Sequence, residues 1–77
     1  KLATVEYYMA WIVDWDRRFS LINWRNRNQA RQLIDTGKAV IMDKPSAARL
    51  QPIIHDLIEL LPQTEMPAGA EGLLTSN

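Results

Sequence analysis

The sequence predicts an all-α fold: a small three-helix bundle, or a helical hairpin plus a long N-terminal amphipathic helix, with a flexible C-terminal tail. Apolar residues recur at spacings of three and four, and two clusters of turn residues divide this pattern into three segments. We predict helices at about residues 2–22, 27–42 and 52–61. They would form one helical domain over residues 1–62, followed by the tail over residues 63–77.

Length and composition exclude several classes of protein. A chain of 77 residues holds one small core, and the absence of cysteine excludes disulfides and thiolate metal sites. A single histidine cannot build a histidine cluster, so we expect neither a metal nor a cofactor. No apolar run approaches the roughly 20 residues of a membrane-spanning helix. The chain begins with Lys1 and nothing there resembles a signal peptide, so we expect a cytoplasmic fragment of a longer protein.

The formal net charge of zero hides two halves of opposite sign. Residues 1–50 contain all nine basic side chains and five acidic ones, a net charge of +4. Residues 51–77 contain four acidic side chains and no basic one, a net charge of −4. Such halves can attract each other, attract a second copy of the chain, or steer two different partners.

The first predicted helix has an apolar seam with alternating steps of three and four. This spacing is typical of a helix that faces another helix. Tyr7 and Trp11 form a second row beside the seam and make the apolar stripe wider than a single neighbour requires. The extra width indicates either two packing neighbours or a contact outside the chain. The seam comprises Val5, Tyr8, Ile12, Trp15, Phe19 and Ile22.

The second predicted helix follows a link rich in capping residues. Asn26, with Gln29 three positions later, has the pattern of a capping box, and Asn28 is the competing cap. Gly37 inside this helix costs about 1 kcal/mol relative to alanine, which a close helix crossing would explain. The alternative is a helix that ends near Gly37. Its predicted buried face comprises Ala30, Leu33, Ile34, Gly37, Val40 and Ile41.

The third predicted helix has a cap and two prolines. Ser46 can cap it, but Pro52 disfavours helical geometry at Gln51. We therefore predict a short turn over residues 46–50, a regular helix from Pro52, and its end before Pro62. The tail beyond contains one apolar pair, Leu73–Leu74, which could dock on a helix or on a neighbouring chain.

The residues do not predict an enzyme. His55 could pair with Glu59 one helical turn away, which is typical of a solvated helix face. Asp14 and Asp16 would point in different directions and cannot act as a carboxylate dyad. The sequence contains no glycine-rich phosphate loop and no nucleophile elbow.

A cluster of arginines with an aromatic residue suggests nucleic-acid binding as the alternative function. Five arginines and Trp24 lie within residues 17–31, a stretch without an acid. Arginines could bind phosphates while the indole stacks on a base. However, a pI of about 6.8 is far below that of a typical nucleic-acid binder, and nearby aspartates can pair with some arginines. The competing hypothesis is that Trp24 closes the end of the bundle.

A partner-binding surface is the function that the composition favours most. The chain has more large aromatic side chains than a small core easily buries, and core packing should take at least two of them. The first helix is amphipathic, but its polar face mixes both signs of charge, so we expect no membrane contact. The candidate partner-binding residues are Tyr7, Trp11, Trp15, Trp24, Arg25, Arg27 and Arg31.

Two sets of residues in the second and third helices carry a resemblance: Ala30, Leu33, Ile34 and Gly37, then Leu50, Ile54, Leu57, Leu60, Leu61 and Pro62. In these residues the helices resemble the C-terminal helical segment of bacterial DnaK-type (70-kDa heat-shock) chaperone-like proteins. The resemblance covers about residues 23–65, and no ATPase loop or substrate-binding strand accompanies it. It therefore implies no catalytic residue, only an accessory helical module that acts by packing or by contact with a partner.

Together these patterns predict a non-catalytic helical module for protein interaction or oligomerisation, from a larger chaperone-like protein. The expected partner is another protein or a second copy of the chain. Nucleic-acid binding through the Arg/Trp cluster at residues 17–31 is the alternative.

Overall fold

The computed structural model describes residues 4–65, which form three α-helices packed against one another. Helix α1 spans Thr4–Arg17, α2 spans Arg27–Ile41 and α3 spans Ala47–Leu60. Two short 3-10 helices follow α1 and α3, at Phe19–Leu21 and Gln63–Glu65. No strand occurs in this part of the chain. The predicted all-α three-helix bundle is confirmed.

The core lies between the three helices and is apolar throughout. The predicted seam of α1 supplies four buried side chains, while Val5 and Phe19 pack at the edge of the core. No polar or charged residue among residues 4–65 is buried, so the core carries no desolvated charge. The buried side chains are Tyr8, Ile12, Trp15, Ile22, Trp24, Ala30, Ile34, Leu50, Ile53, Ile54, Leu57, Ile58 and Leu61.

The first helix ends at Arg17, so the predicted end near residue 22 was wrong. The backbone leaves α-helical geometry at Arg18, and a 3-10 turn follows. The side chain of Trp24 donates a hydrogen bond from Nε1 to the carbonyl oxygen of Phe19 at 3.2 Å. After this turn, Ile22 and Trp24 are buried in the core, at 1% and 7% exposed.

Helix α2 follows the prediction closely. The Asn26 side chain accepts a hydrogen bond from the backbone N–H of Gln29 at 3.0 Å, which satisfies one of the free donors of the first turn. The helix continues through Gly37 to Ile41, which rules out the alternative end near the glycine. A Cβ on Gly37 would lie 2.8 Å from Ile12 Cδ1. The glycine therefore permits the close approach of α1 and α2.

Helix α3 begins at Ala47 rather than at Pro52, which corrects the predicted turn over residues 46–50. Ser46 caps the helix, because its hydroxyl accepts a hydrogen bond from the N–H of Arg49 at 3.1 Å. Pro52 lies inside the helix on the exposed face and removes the hydrogen bond to the carbonyl of Ala48. Ala48 is also exposed, so water can reach that carbonyl.

The predicted tail begins as ordered structure. Glu65 ends the second 3-10 helix and forms an ion pair with Arg18 at 3.0 Å, which ties the end of the described chain to the residue that follows α1. The tail boundary at residue 63 is therefore too early. Residues 66–77, including Leu73–Leu74, and residues 1–3 lie outside the described residues.

Replacement of Gly37 tests the close approach of α1 and α2. Gly37→Ala gains about 1 kcal/mol of helix propensity but overpacks Ile12 at a cost of about 1–3 kcal/mol. We expect a net loss of stability in the native background and a gain in the Ile12→Val background, where the clashing methyl is absent. Urea unfolding of the four chains measures the coupling. Equal effects in both backgrounds would contradict the predicted contact.

Pro52→Ala should stabilise the bundle. The replacement restores a helical hydrogen-bond donor on an exposed face, which is worth up to about 3 kcal/mol in a helix interior. Thermal unfolding followed by circular dichroism measures the change. Pro45→Ala in the preceding turn is the control, and we expect it to leave stability unchanged or slightly reduced. A lower melting temperature for Pro52→Ala would show that the ring itself stabilises α3.

Candidate functional site

The structure divides the candidate aromatic residues between the core and the surface. Trp15 and Trp24 are only 2% and 7% exposed, so they leave the set of partner-binding residues. Tyr7 is 46% exposed and Trp11 is half-buried at the edge of the core. The expectation that at least two aromatic residues pack inside is therefore met. The pair that remains accessible lies one turn apart on α1.

Trp24 closes the end of the bundle. Its ring packs edge-on against Trp15, with centroids 6.5 Å apart, and stacks on Phe19 with centroids 5.5 Å apart. Its indole N–H is used in the hydrogen bond to the Phe19 carbonyl. Stacking on nucleic acid would need an exposed face of the indole ring, and Trp24 presents neither a face nor its N–H to a base.

The arginines of the Arg/Trp cluster mostly serve the fold. The Arg31 guanidinium lies 4.0 Å from the centroid of the Phe19 ring, and that of Arg27 lies 5.4 Å away. Arg27 also donates a hydrogen bond to the carbonyl of Ile22. Arg25 is exposed, and its backbone N–H donates to the carbonyl of Leu60 at 2.9 Å. The structure thus brings Arg27 and Arg31 together around Phe19 rather than around an open groove.

Two aspartates of α1 organise the remaining charges. Asp14 binds Arg17 and Arg18 at 2.9 and 2.8 Å, and the hydrogen bond from Arg18 is the main cause of its lowered pKa. On the other side of the helix, Asp16 binds Arg31 at 2.9 Å and Lys38 at 3.1 Å.

Asp16 links α1 to α2 electrostatically. Its pKa is lowered chiefly by the hydrogen bond from Arg31, then by that from Lys38. The carboxylate is about 30% exposed, so solvent screens these pairs only in part. The basic charge that the sequence concentrates in residues 17–38 is therefore largely compensated within the bundle.

The outer face of α1 is the candidate functional site. It carries Tyr7, Ala10 and Val13 at successive spacings of three, and Val13 is 55% exposed. Trp11 borders Tyr7 and contacts the rings of Tyr8 and Trp15. Trp11 points about 160° away from Val13 around the helix, toward the edge of the core, and lies outside this face. We call Tyr7, Ala10 and Val13 the α1 outer patch.

The other two helices present polar outer faces. Within residues 4–65, no large apolar side chain is exposed on α2 or α3. Two further exposed apolar residues, Leu21 and Met42, lie in the turns that follow α1 and α2. The exposed residues of α2 are Arg27, Asn28, Gln29, Gln32, Asp35, Thr36, Lys38 and Ala39, and those of α3 are Ala48, Arg49, Gln51, Pro52, Asp56 and Glu59.

The sequence prediction missed Ala10 and Val13. It selected residues by aromatic type, which found Tyr7 and Trp11 but gave a small alanine and a valine no weight. The signal was nevertheless available, because residues 7, 10 and 13 repeat at a helical spacing on the side opposite the buried seam.

One group among residues 4–65 could hold a metal ion. His55 Nδ1 lies 3.6 Å from an oxygen of Asp56, and its Nε2 lies 3.8 Å from an oxygen of Glu59. All three side chains project from the exposed side of α3. The imidazole faces Asp56 with Nδ1 and Glu59 with Nε2, whereas a single metal ion would bind only one of these two ring nitrogens.

Comparisons with known proteins give no relative. No family model matches the chain, and no curated protein or solved structure matches it either. Within residues 4–65, no helix has both the length and the apolar character required to cross a membrane.

A fall in pH should destabilise the bundle, because it protonates the carboxylate of Asp16. Because its pKa is lowered in the folded state, the carboxylate stabilises the fold above the unfolded pKa of about 3.9, and this stability is lost as the pH falls below it. We expect Asp16→Asn to lower the free energy of unfolding at pH 7 by about 1 kcal/mol. The variant should also lose less of this free energy than the native chain as the pH falls. Urea unfolding from pH 7 to pH 2.5, at about half-unit steps, measures both effects.

Asp43→Asn is the matched control. Its carboxylate is 75% exposed and lies 3.6 Å from Arg49. We therefore expect the free energy of unfolding of this variant to fall with pH as it does in the native chain. An Asp16→Asn curve parallel to that of the native chain would show that the pairs with Arg31 and Lys38 contribute nothing.

Proposed function

We propose that the chain is a non-catalytic helical module that binds a protein partner through the α1 outer patch. The observation that carries the proposal is that the two large apolar side chains exposed on the three α-helices, Tyr7 and Val13, both project from the solvent-facing side of α1. Exposed aromatic residues next to a half-buried tryptophan are typical of protein interfaces.

The small core also favours association. A bundle of this size, without a disulfide, usually gains only about 3–5 kcal/mol from its core. Any partner that binds only the folded state adds stability by mass action. Burial of Tyr7 and Val13 on such a partner would remove apolar surface from water without any change in the bundle, because both side chains already point outward.

The contacts give less support to nucleic-acid binding. Trp24 is buried, and Arg31 is held by Asp16, Asp35 and Phe19. Arg25 remains as an exposed arginine of the candidate set. Titration of tryptophan fluorescence with a mixed oligonucleotide decides this alternative. Salt-sensitive binding at about 50 mM salt would favour it over the protein partner.

The proposal extends to the parent protein, which we take to be chaperone-like. It rests on the resemblance of residues 23–65 to the C-terminal helical segment of DnaK-type proteins. The sequence upstream in the same gene tests this part separately. An ATPase domain there would support it, and a different upstream domain would overturn it while leaving the α1 outer patch as the proposed binding face.

Site-specific photo-crosslinking tests the proposed face. A benzophenone-bearing residue in place of Ala10 should cross-link a protein in the source cells, and the same residue in place of Gln32 on α2 should not. With the captured partner purified, Tyr7→Ser and Val13→Ser should each weaken binding about tenfold, because each removes buried apolar surface. Thr36→Ser on α2 is the control. Equal cross-linking from both positions, or unchanged binding by both serine variants, would refute the proposal.

A further inference from the structure

The solvent-facing side of α1 has a self-complementary pattern. Glu6, Ala10, Val13 and Arg17 follow one another at steps of four, three and four, which places them in one stripe along the helix. All four are exposed. The charges lie at opposite ends of the stripe, acidic near the N-terminus and basic near the C-terminus, with two small apolar residues between them. This is the arrangement that an antiparallel copy of the same helix would match.

The register follows from the spacing. A two-fold axis midway between Ala10 and Val13 places Ala10 of each copy opposite Val13 of the other. Glu6 and Arg17 are separated by about 16 Å along the helix, so the same axis places each carboxylate opposite the guanidinium of the other copy. A parallel pairing would instead place Glu6 against Glu6 and Arg17 against Arg17, which repel. The charge pattern therefore selects the antiparallel orientation.

The side chains permit a close contact in this register. Alanine and valine at the centre allow the two helix axes to approach to about 8 Å. Arg17 is 75% exposed and forms a surface pair with Asp14 within one turn, so its remaining guanidinium donors can reach a carboxylate on another chain. Tyr7 borders the stripe and adds apolar area at its N-terminal end.

We propose that the partner of the α1 outer patch is a second copy of this chain, bound antiparallel with Glu6 of each copy paired to Arg17 of the other. The inference rests on the proposed function and specifies its partner. The face of a 14-residue helix buries less than the about 800 Å² per partner of a stable dimer, so the dimer dissociates in the high micromolar range.

Charge reversal tests the pairing in the full 77-residue chain. Sedimentation equilibrium from about 20 µM to 1 mM should show a monomer–dimer equilibrium for the native chain. Glu6→Arg and Arg17→Glu should each raise the dissociation constant about tenfold, because each removes two pairs and creates two repulsions. The double variant, with both residues exchanged, should restore the native value, since only the order of the charges changes.

A central substitution keeps the test independent of helix stability. Both reversals also oppose the helix dipole, which circular dichroism monitors. Val13→Lys leaves Glu6 and Arg17 in place, puts two cations beside the two-fold axis and should abolish the dimer. Ala39→Lys on the exposed side of α2 is the control and should dimerise like the native chain.

The outcomes separate this inference from the proposed function. A native chain that stays monomeric at 1 mM, or a double variant that fails to regain dimerisation while each single variant loses it, would overturn the antiparallel pairing. Cross-linking from position 10 to a different protein by a monomeric chain would retain the proposed function and overturn only the self-pairing. A chain that neither dimerises nor cross-links to a different protein would overturn both the antiparallel pairing and the proposed function.

Discussion

The packing of Trp24 between Trp15 and Phe19 is the contact on which the rest of the bundle depends. The ring closes one end of the core, and its N–H fixes the carbonyl of Phe19. The chain turns at Arg18, and this turn brings Trp24 back to the core. Asn26 then caps α2 through its own side chain. The burial of Trp15 and Trp24 at this end of the bundle depends on the contact between their rings.

The charges of the chain are used mainly to hold the helices together. Asp16 of α1 binds Arg31 and Lys38 of α2, and Asp14 binds Arg17 at the end of α1 and Arg18 just beyond it. Most of these pairs lie within residues 1–50, the basic half of the sequence. The ion pair between Arg18 and Glu65 joins this half to the acidic half, residues 51–77. The opposite net charges of the halves thus contribute to the closed bundle. Arg31, one of the candidate arginines, is engaged by these pairs within the bundle.

The surface that remains distinctive is the outer face of α1. Its buried side takes the aromatic and branched residues that the core needs, and its exposed side keeps a second, narrower apolar row. The flanking Glu6 and Arg17 give that row a direction. The proposed antiparallel contact uses both properties. We propose that one side of α1 serves folding and the other serves association.

The sequence by itself determined the helical class, the seam of α1 and the Asn26 cap, because helical spacing and capping are local properties. It favoured the continuation of α2 through Gly37, and the close approach of α1 decided it. It located Tyr7 and Trp11 by residue type but missed Ala10 and Val13, whose importance depends on which side of α1 remains exposed. Only the tertiary structure decided that exposure, the burial of Trp15 and Trp24, the early end of α1, and the start of α3 before Pro52. Each depends on contacts between residues distant in sequence or on access of water, and no local pattern contains either.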